Sequence, residues 1–126
     1  MQAKAANLSD LKFNLETWRR ELKFHFTEMD TFQEKLEEIA GREFSKSALK
    51  PLENFQNRIM IEKNVISKLK NRCKKKMQNL DRADFNGNFD SKFQYEQSSL
   101  RDDMKTYIRM HYELKEEMMD YFLVWL

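Results

Sequence analysis

The chain has 126 residues and a formal net charge of +2, with 35% charged residues but only 2 Gly, 1 Pro and 1 Cys. Such a length makes one domain, and so few turn residues exclude a β-sandwich, a barrel or repeated βαβ units. A lone Cys excludes an internal disulfide framework and any multi-Cys zinc site, and it favours a reducing compartment.

A mean hydropathy of −0.86 fits long, wet helices that bury a narrow apolar stripe. The opening Met1–Asn7 has no apolar stretch for a secretory leader. The closing Tyr121–Leu126 is far short of the roughly 18 apolar residues of a spanning helix. The expectation is a cytoplasmic protein without a membrane span.

In chain order, the spacing predicts three helices over about 8–41, 51–83 and 91–125. Asn7 or Ser9 can cap the first, and Gly41 is placed to end it. Its apolar seam is Leu8, Leu11, Leu15, Trp18, Leu22, His25, Met29, Phe32, Leu36 and Ile39, alternating steps of three and four as a heptad pattern does. A connection near Arg42–Lys50 follows, and Pro51 suits the first turn of the second helix.

The second seam is Leu52, Phe55, Ile59, Glu62, Ile66, Leu69, Cys73, Lys76, Leu80 and Ala83. Asn86-Gly87 signals a turn, and Ser91-Lys92-Phe93-Gln94 has the form of a capping box. The third seam is Phe93, Gln97, Leu100, Met104, Tyr107, His111, Leu114, Met118, Tyr121 and Trp125. Each helix is about 50 Å long at 1.5 Å per residue, and short connections make neighbours antiparallel. The fold class is all-α: an up-down-up bundle of three long helices.

The polar seam residues are His25, Glu62, Lys76, Gln97 and His111. Folding the helices back at their connections puts His25 and His111 in nearly one layer, with Glu62 a turn away. A buried charge without a partner costs several kcal/mol, so these groups must meet. The primary reading is a hydrogen-bonded cluster that fixes helix register, with Glu62 accepting from one or both imidazoles, and no cofactor. The alternative is a metal-binding bundle: two imidazoles and a carboxylate can hold one transition-metal ion such as zinc. Glu28, three residues after His25, would be a fourth or supporting ligand. No Glu-x-x-His motif of the di-iron bundles occurs. Lys76 and Gln97 are placed to reach solvent along their stems. Cys73 reads as a small core hydrophobe.

Apolar residues also lie off the seams: Phe13 and Phe24, Ile61 and Val65, Ile108 and Phe122. They either widen the core or form a surface for another protein or a second copy, and we expect a homodimer. The run Lys68–Lys76, with Lys68, Arg72, Lys74 and Lys75, is the main basic feature. A nucleic-acid or acidic-partner binder is the second alternative. The pI near 8.6 and the winding of these charges around the helix weigh against nucleic acid. Asp84, Asn86, Asn88 and Asp90 alternate as in a calcium loop, but Phe89 and Tyr95 occupy the positions where an EF-hand needs Gly and Glu.

Three stretches carry a family resemblance: Glu53-Asn54-Phe55-Gln56-Asn57-Arg58, Leu100-Arg101-Asp102-Asp103 and Phe122-Leu123-Val124-Trp125. From Trp18 onward the chain resembles a group of small all-helical bacterial proteins to which no activity is attached. The resemblance implies His at positions where this chain has Asn54, Asn71 and Lys76, so any binding by those histidines is lost here. The combined expectation is a non-enzymatic structural or interaction protein that associates with itself.

Overall fold

A computed structural model describes the backbone of residues 8–86 and 91–126, and the side chains of 8–82 and 97–126. Three long helices account for almost all of it: α1 (Leu8–Ala40), α2 (Lys46–Asn86) and α3 (Ser91–Trp125), with no strand among the described residues. The three-four rhythm decides what is inside. Every seam residue whose side chain is described is buried or half-buried. α1 and α2 pack most closely of the three pairs. The arrangement is the expected all-α bundle.

The boundaries differ from expectation at α2. It begins at Lys46, more than a turn before Pro51. Ser45 is its cap: the carbonyl accepts from the amides of Ala48 and Leu49, and Oγ accepts from Ala48 N at 3.3 Å. Pro51 therefore lies in the second turn, where it removes one bond to the carbonyl of Ser47, an exposed residue whose carbonyl water can serve. The earlier start also adds Ala48 to the core, and its carbonyl accepts a 2.7 Å hydrogen bond from the Tyr121 hydroxyl.

α1 ends where expected, but not through a left-handed glycine. Gly41 is outside that conformation, and its amide still bonds the Glu37 carbonyl. Arg42 and Glu43 then both donate to Ile39 O, which closes the turn. Ser9 falls inside α1 and is no cap. Asn7, Gly87, the side chains of Asp84, Asn86, Asn88 and Asp90, and those of the Ser91–Gln94 capping box lie outside the described residues.

Arg42 reaches across to the end of α3 and donates to the carbonyls of Trp125 and Leu126 at 2.7 and 3.2 Å. A cation there satisfies carbonyls that the helix leaves unpaired. Ion pairs tie the other flanks: Lys63–Asp30 and Lys12–Asp81 between α1 and α2, Arg58–Glu117 and Arg72–Asp103 between α2 and α3. Such partly exposed pairs contribute at most about 1 kcal/mol each.

The apolar interior is divided in two. One cluster holds Leu11, Leu15, Leu22, Ile66, Leu69, Cys73, Leu80, Leu100, Met104 and Tyr107. The other holds Met29, Leu36, Ile39, Leu52, Phe55, Ile59, Leu114, Met118 and Tyr121. Between them lies a layer of polar side chains.

Candidate functional site: a buried imidazole stack

The layer is built from one seam position on each helix. His25, Glu62 and His111 are 1%, 7% and 0% exposed. The two imidazoles stack face to face, with centroids 3.7 Å apart and planes 5° from parallel. The folded-back arithmetic therefore holds: His25 and His111 share a level.

The partners differ in part from those the spacing predicts. His111 Nδ1 is 3.0 Å from Glu62 Oε2, and its Nε2 is 3.1 Å from Glu28 Oε1. Glu28 Oε2 in turn accepts from Lys115 Nζ at 2.7 Å. Glu62 thus serves one imidazole, and Glu28 supports the histidine across the bundle rather than the one on its own helix. Because a carboxylate only accepts, both ring nitrogens of His111 donate, and the form that donates twice is the imidazolium. His111, Lys115, Glu28 and Glu62 then sum to no net charge, which is how a buried ionic layer stays tolerable.

His25 takes the opposite state. Its Nδ1 lies 2.7 Å from the Tyr107 hydroxyl. Burial pushes the Tyr107 phenol well above its ordinary range, reinforced by the charges of Glu62, Glu21 and Glu28, so the phenol keeps its proton and donates it to Nδ1. The remaining ring proton of His25 is then on Nε2. That nitrogen sits 3.3 Å from Glu21 Oε1 but off the line of a hydrogen bond, and it is buried without another partner. Burial lowers the pKa of His25, and the facing charge of His111 lowers it further. A neutral ring over a charged one also attracts as a cation over a π face. The exposed ring of Tyr112 stands edge-on to both imidazoles, at 5.9 and 5.2 Å.

This geometry does not suit the metal alternative. Parallel stacked rings aim their nitrogens side by side rather than at one point, and both nitrogens of His111 already hold carboxylates. Among the described residues no group of three or more His, Cys, Asp or Glu is arranged to hold a metal ion.

Tyr107, Lys115 and Glu21 complete the layer and were not named as its members from sequence. A signal existed: they sit four residues from His111 or His25, on the same helix faces. Gln97, expected to reach solvent, instead stays buried and donates to Leu11 O at 2.9 Å. The α1 backbone offered it a nearer acceptor than water. Its Oε1 is left without a partner. Lys76 is half-buried, as its seam position requires. Cys73 is fully buried, and burial pushes its thiol up to about 11.

The basic run is divided between two sides of α2: Lys68, Arg72 and Lys75 recur at helical spacing on one, and Lys74 lies on another. Lys68, Lys74 and Lys75 are exposed, whereas Arg72 is bound to Asp103 at 2.6 Å, and Cys73 between them faces the core. No helix among the described residues is long and apolar enough to cross a membrane. Comparison with models of known protein families, with characterised proteins and with solved structures finds no match to this chain.

Proposed function

We propose that the chain is a non-enzymatic, cytoplasmic helical-bundle protein that acts by binding protein surfaces, with a second copy of itself as its first partner. The observation that carries this reading is the outward face of α1. Phe13 and Phe24 are 67% and 61% exposed. At 100° per residue they share a stripe with Thr17, Thr27 and Thr31, on the side away from the seam. The three hydroxyls bond back to the carbonyls of Phe13, Lys23 and Thr27, and Arg20, which lies on the same stripe with its side chain 78% exposed, pairs with Glu16 at 3.3 Å. Two aromatic rings held this way in water mark a contact surface. By contrast Ile108 and Phe122 pack against the core clusters and widen it.

The polar layer supports the non-enzymatic half of the reading. Its histidine nitrogens face bonded partners or a neighbouring carboxylate, and burial holds both the Tyr107 phenol and the Cys73 thiol in their protonated, unreactive forms. A fixed layer whose charged groups pair with one another sets alignment rather than turning over a substrate.

Size-exclusion chromatography with light scattering tests the proposal. Wild-type protein should run at twice the 15.4 kDa chain mass. A Phe13→Ser/Phe24→Ser variant should run at the chain mass with unchanged helical circular dichroism. A wild-type monomer at several hundred micromolar, or a variant that stays dimeric, refutes the α1 interface.

A further inference from the structure

Away from α1, a groove runs along the line where α2 and α3 meet. Its floor is Glu62, Tyr107 and Leu114, all buried, and its walls are Ile61, Val65, Met110 and Glu113. Ile61 and Met110 are 60% and 56% exposed. The cavity volume is about 270 Å³, just below the ~300–1,000 Å³ of sites that hold drug-sized molecules. An occupant must therefore be small.

The charges lining the groove choose its sign. Arg58 at one end is already bound to Glu117 at 2.5 Å, and Arg72 further along is bound to Asp103. Glu62 at the floor is likewise paired, with the His111 imidazolium through Oε2, so the charge left on the lining is that of Glu113 at the rim. Glu62 is more than nine-tenths buried and gives only Oε2 to His111. Its Oε1 has no hydrogen-bond partner among the described residues, yet it is not among the atoms sealed from solvent. The residue lines the groove, and that oxygen is open to solvent.

We propose that this groove is a binding site for a small organic cation: an ammonium group on Glu62 Oε1 and Glu113, and an apolar body against Ile61, Val65 and Met110. An acceptor deep in an apolar cleft favours a charged donor, because neighbouring low-dielectric walls strengthen the attraction. Glu113 at the rim repels anions. The site is separate from the α1 stripe, so it does not rest on self-association.

A matched set of ligands tests the assignment: phenethylamine, phenethyl alcohol and hydrocinnamate share one body and differ in charge. Titrated into isotope-labelled full-length protein and followed by amide NMR at neutral pH, phenethylamine should shift the amides of Ile61, Glu62, Val65, Met110 and Glu113 at millimolar concentration. The alcohol should bind at least fivefold more weakly, and hydrocinnamate should leave those amides unmoved. Glu113→Gln should weaken the amine severalfold, and Ile61→Lys, which sets a cation in the groove wall without touching the core, should abolish its binding. Equal binding of amine and alcohol, or no shift with the amine, overturns the proposal. So does a dilution series that moves the same amides without ligand, because the groove would then be a contact between copies.

Discussion

Removing the imidazolium of His111 alone should be far more damaging than removing it together with its partner. In His111→Leu the Glu62 and Glu28 side chains, 8% and 15% exposed, keep their charge but lose the donor between them. Glu28 retains Lys115, so Glu62 is the group left stranded. Orphaning one member of a buried pair costs about 3–5 kcal/mol. With an unfolding entropy of ~2.1 cal/mol/K per residue, 126 residues give about 0.26 kcal/mol/K. A loss near the lower bound lowers Tm by about 12 °C. Replacing both partners, His111→Leu/Glu62→Leu, exchanges the ion pair for apolar volume and should recover most of that loss. The cycle is completed with Glu62→Leu and read by urea and thermal denaturation at pH 7. The two single losses should exceed the double loss by ~2 kcal/mol or more, as expected for residues in one network. Additive effects, or a His111→Leu variant within about 1 kcal/mol of wild type, would refute the charged clamp.

Three further outcomes follow from the same geometry. His25 has a folded pKa below its ordinary 6.5; the unfolded chain therefore gains a proton first as pH falls, so the stability present above pH 6.5 should decline below it. Urea midpoints between pH 7.5 and 5.5 measure this, and His25→Phe should flatten the slope; a slope unchanged in that variant sinks the assignment. Tyr121→Phe removes the buried 2.7 Å bond to Ala48 O and should cost ~1 kcal/mol, about 4 °C in Tm, against no change if the hydroxyl is served by water. Cys73 is fully buried with its thiol pushed up to about 11, so a thiol reagent at pH 8 should label it only as fast as the bundle opens; rapid labelling of native protein contradicts the burial.

How much of this is legible in the sequence depends on what spacing encodes. The steps of three and four specify which side of each helix faces inward, and Leu15, Leu22, Ile66 and Met104 are where that reading puts them. Counting back through short connections also fixes level, which is why His25 and His111 could be placed together. Spacing does not encode how a ring turns within its level. The pairing of Glu28 with His111 rather than with His25 depends on side-chain direction, as does the Tyr107 bond. Nor does spacing give the rotation of one helix against its neighbours. Phe24 and Ile108 both lie off the seam, yet only Ile108 is covered by another helix. Pro51 is a strong local signal for the start of α2, but Ser45, with Ala48 in contact with Tyr121, outweighs it.

The polar layer between the two apolar clusters gives the bundle an index mark. Suppose α3 slid along its neighbours by seven residues: almost every oily side chain would find another oily side chain, and packing alone would scarcely object. At one height the slip would be felt at once, because Met104 or Met118 would arrive opposite Glu62 while His111 travelled into an apolar half. A sequence as repetitive as this one thus needs only one mismatched rung to choose among its nearly equivalent alignments, and repacking in either half can proceed without losing count.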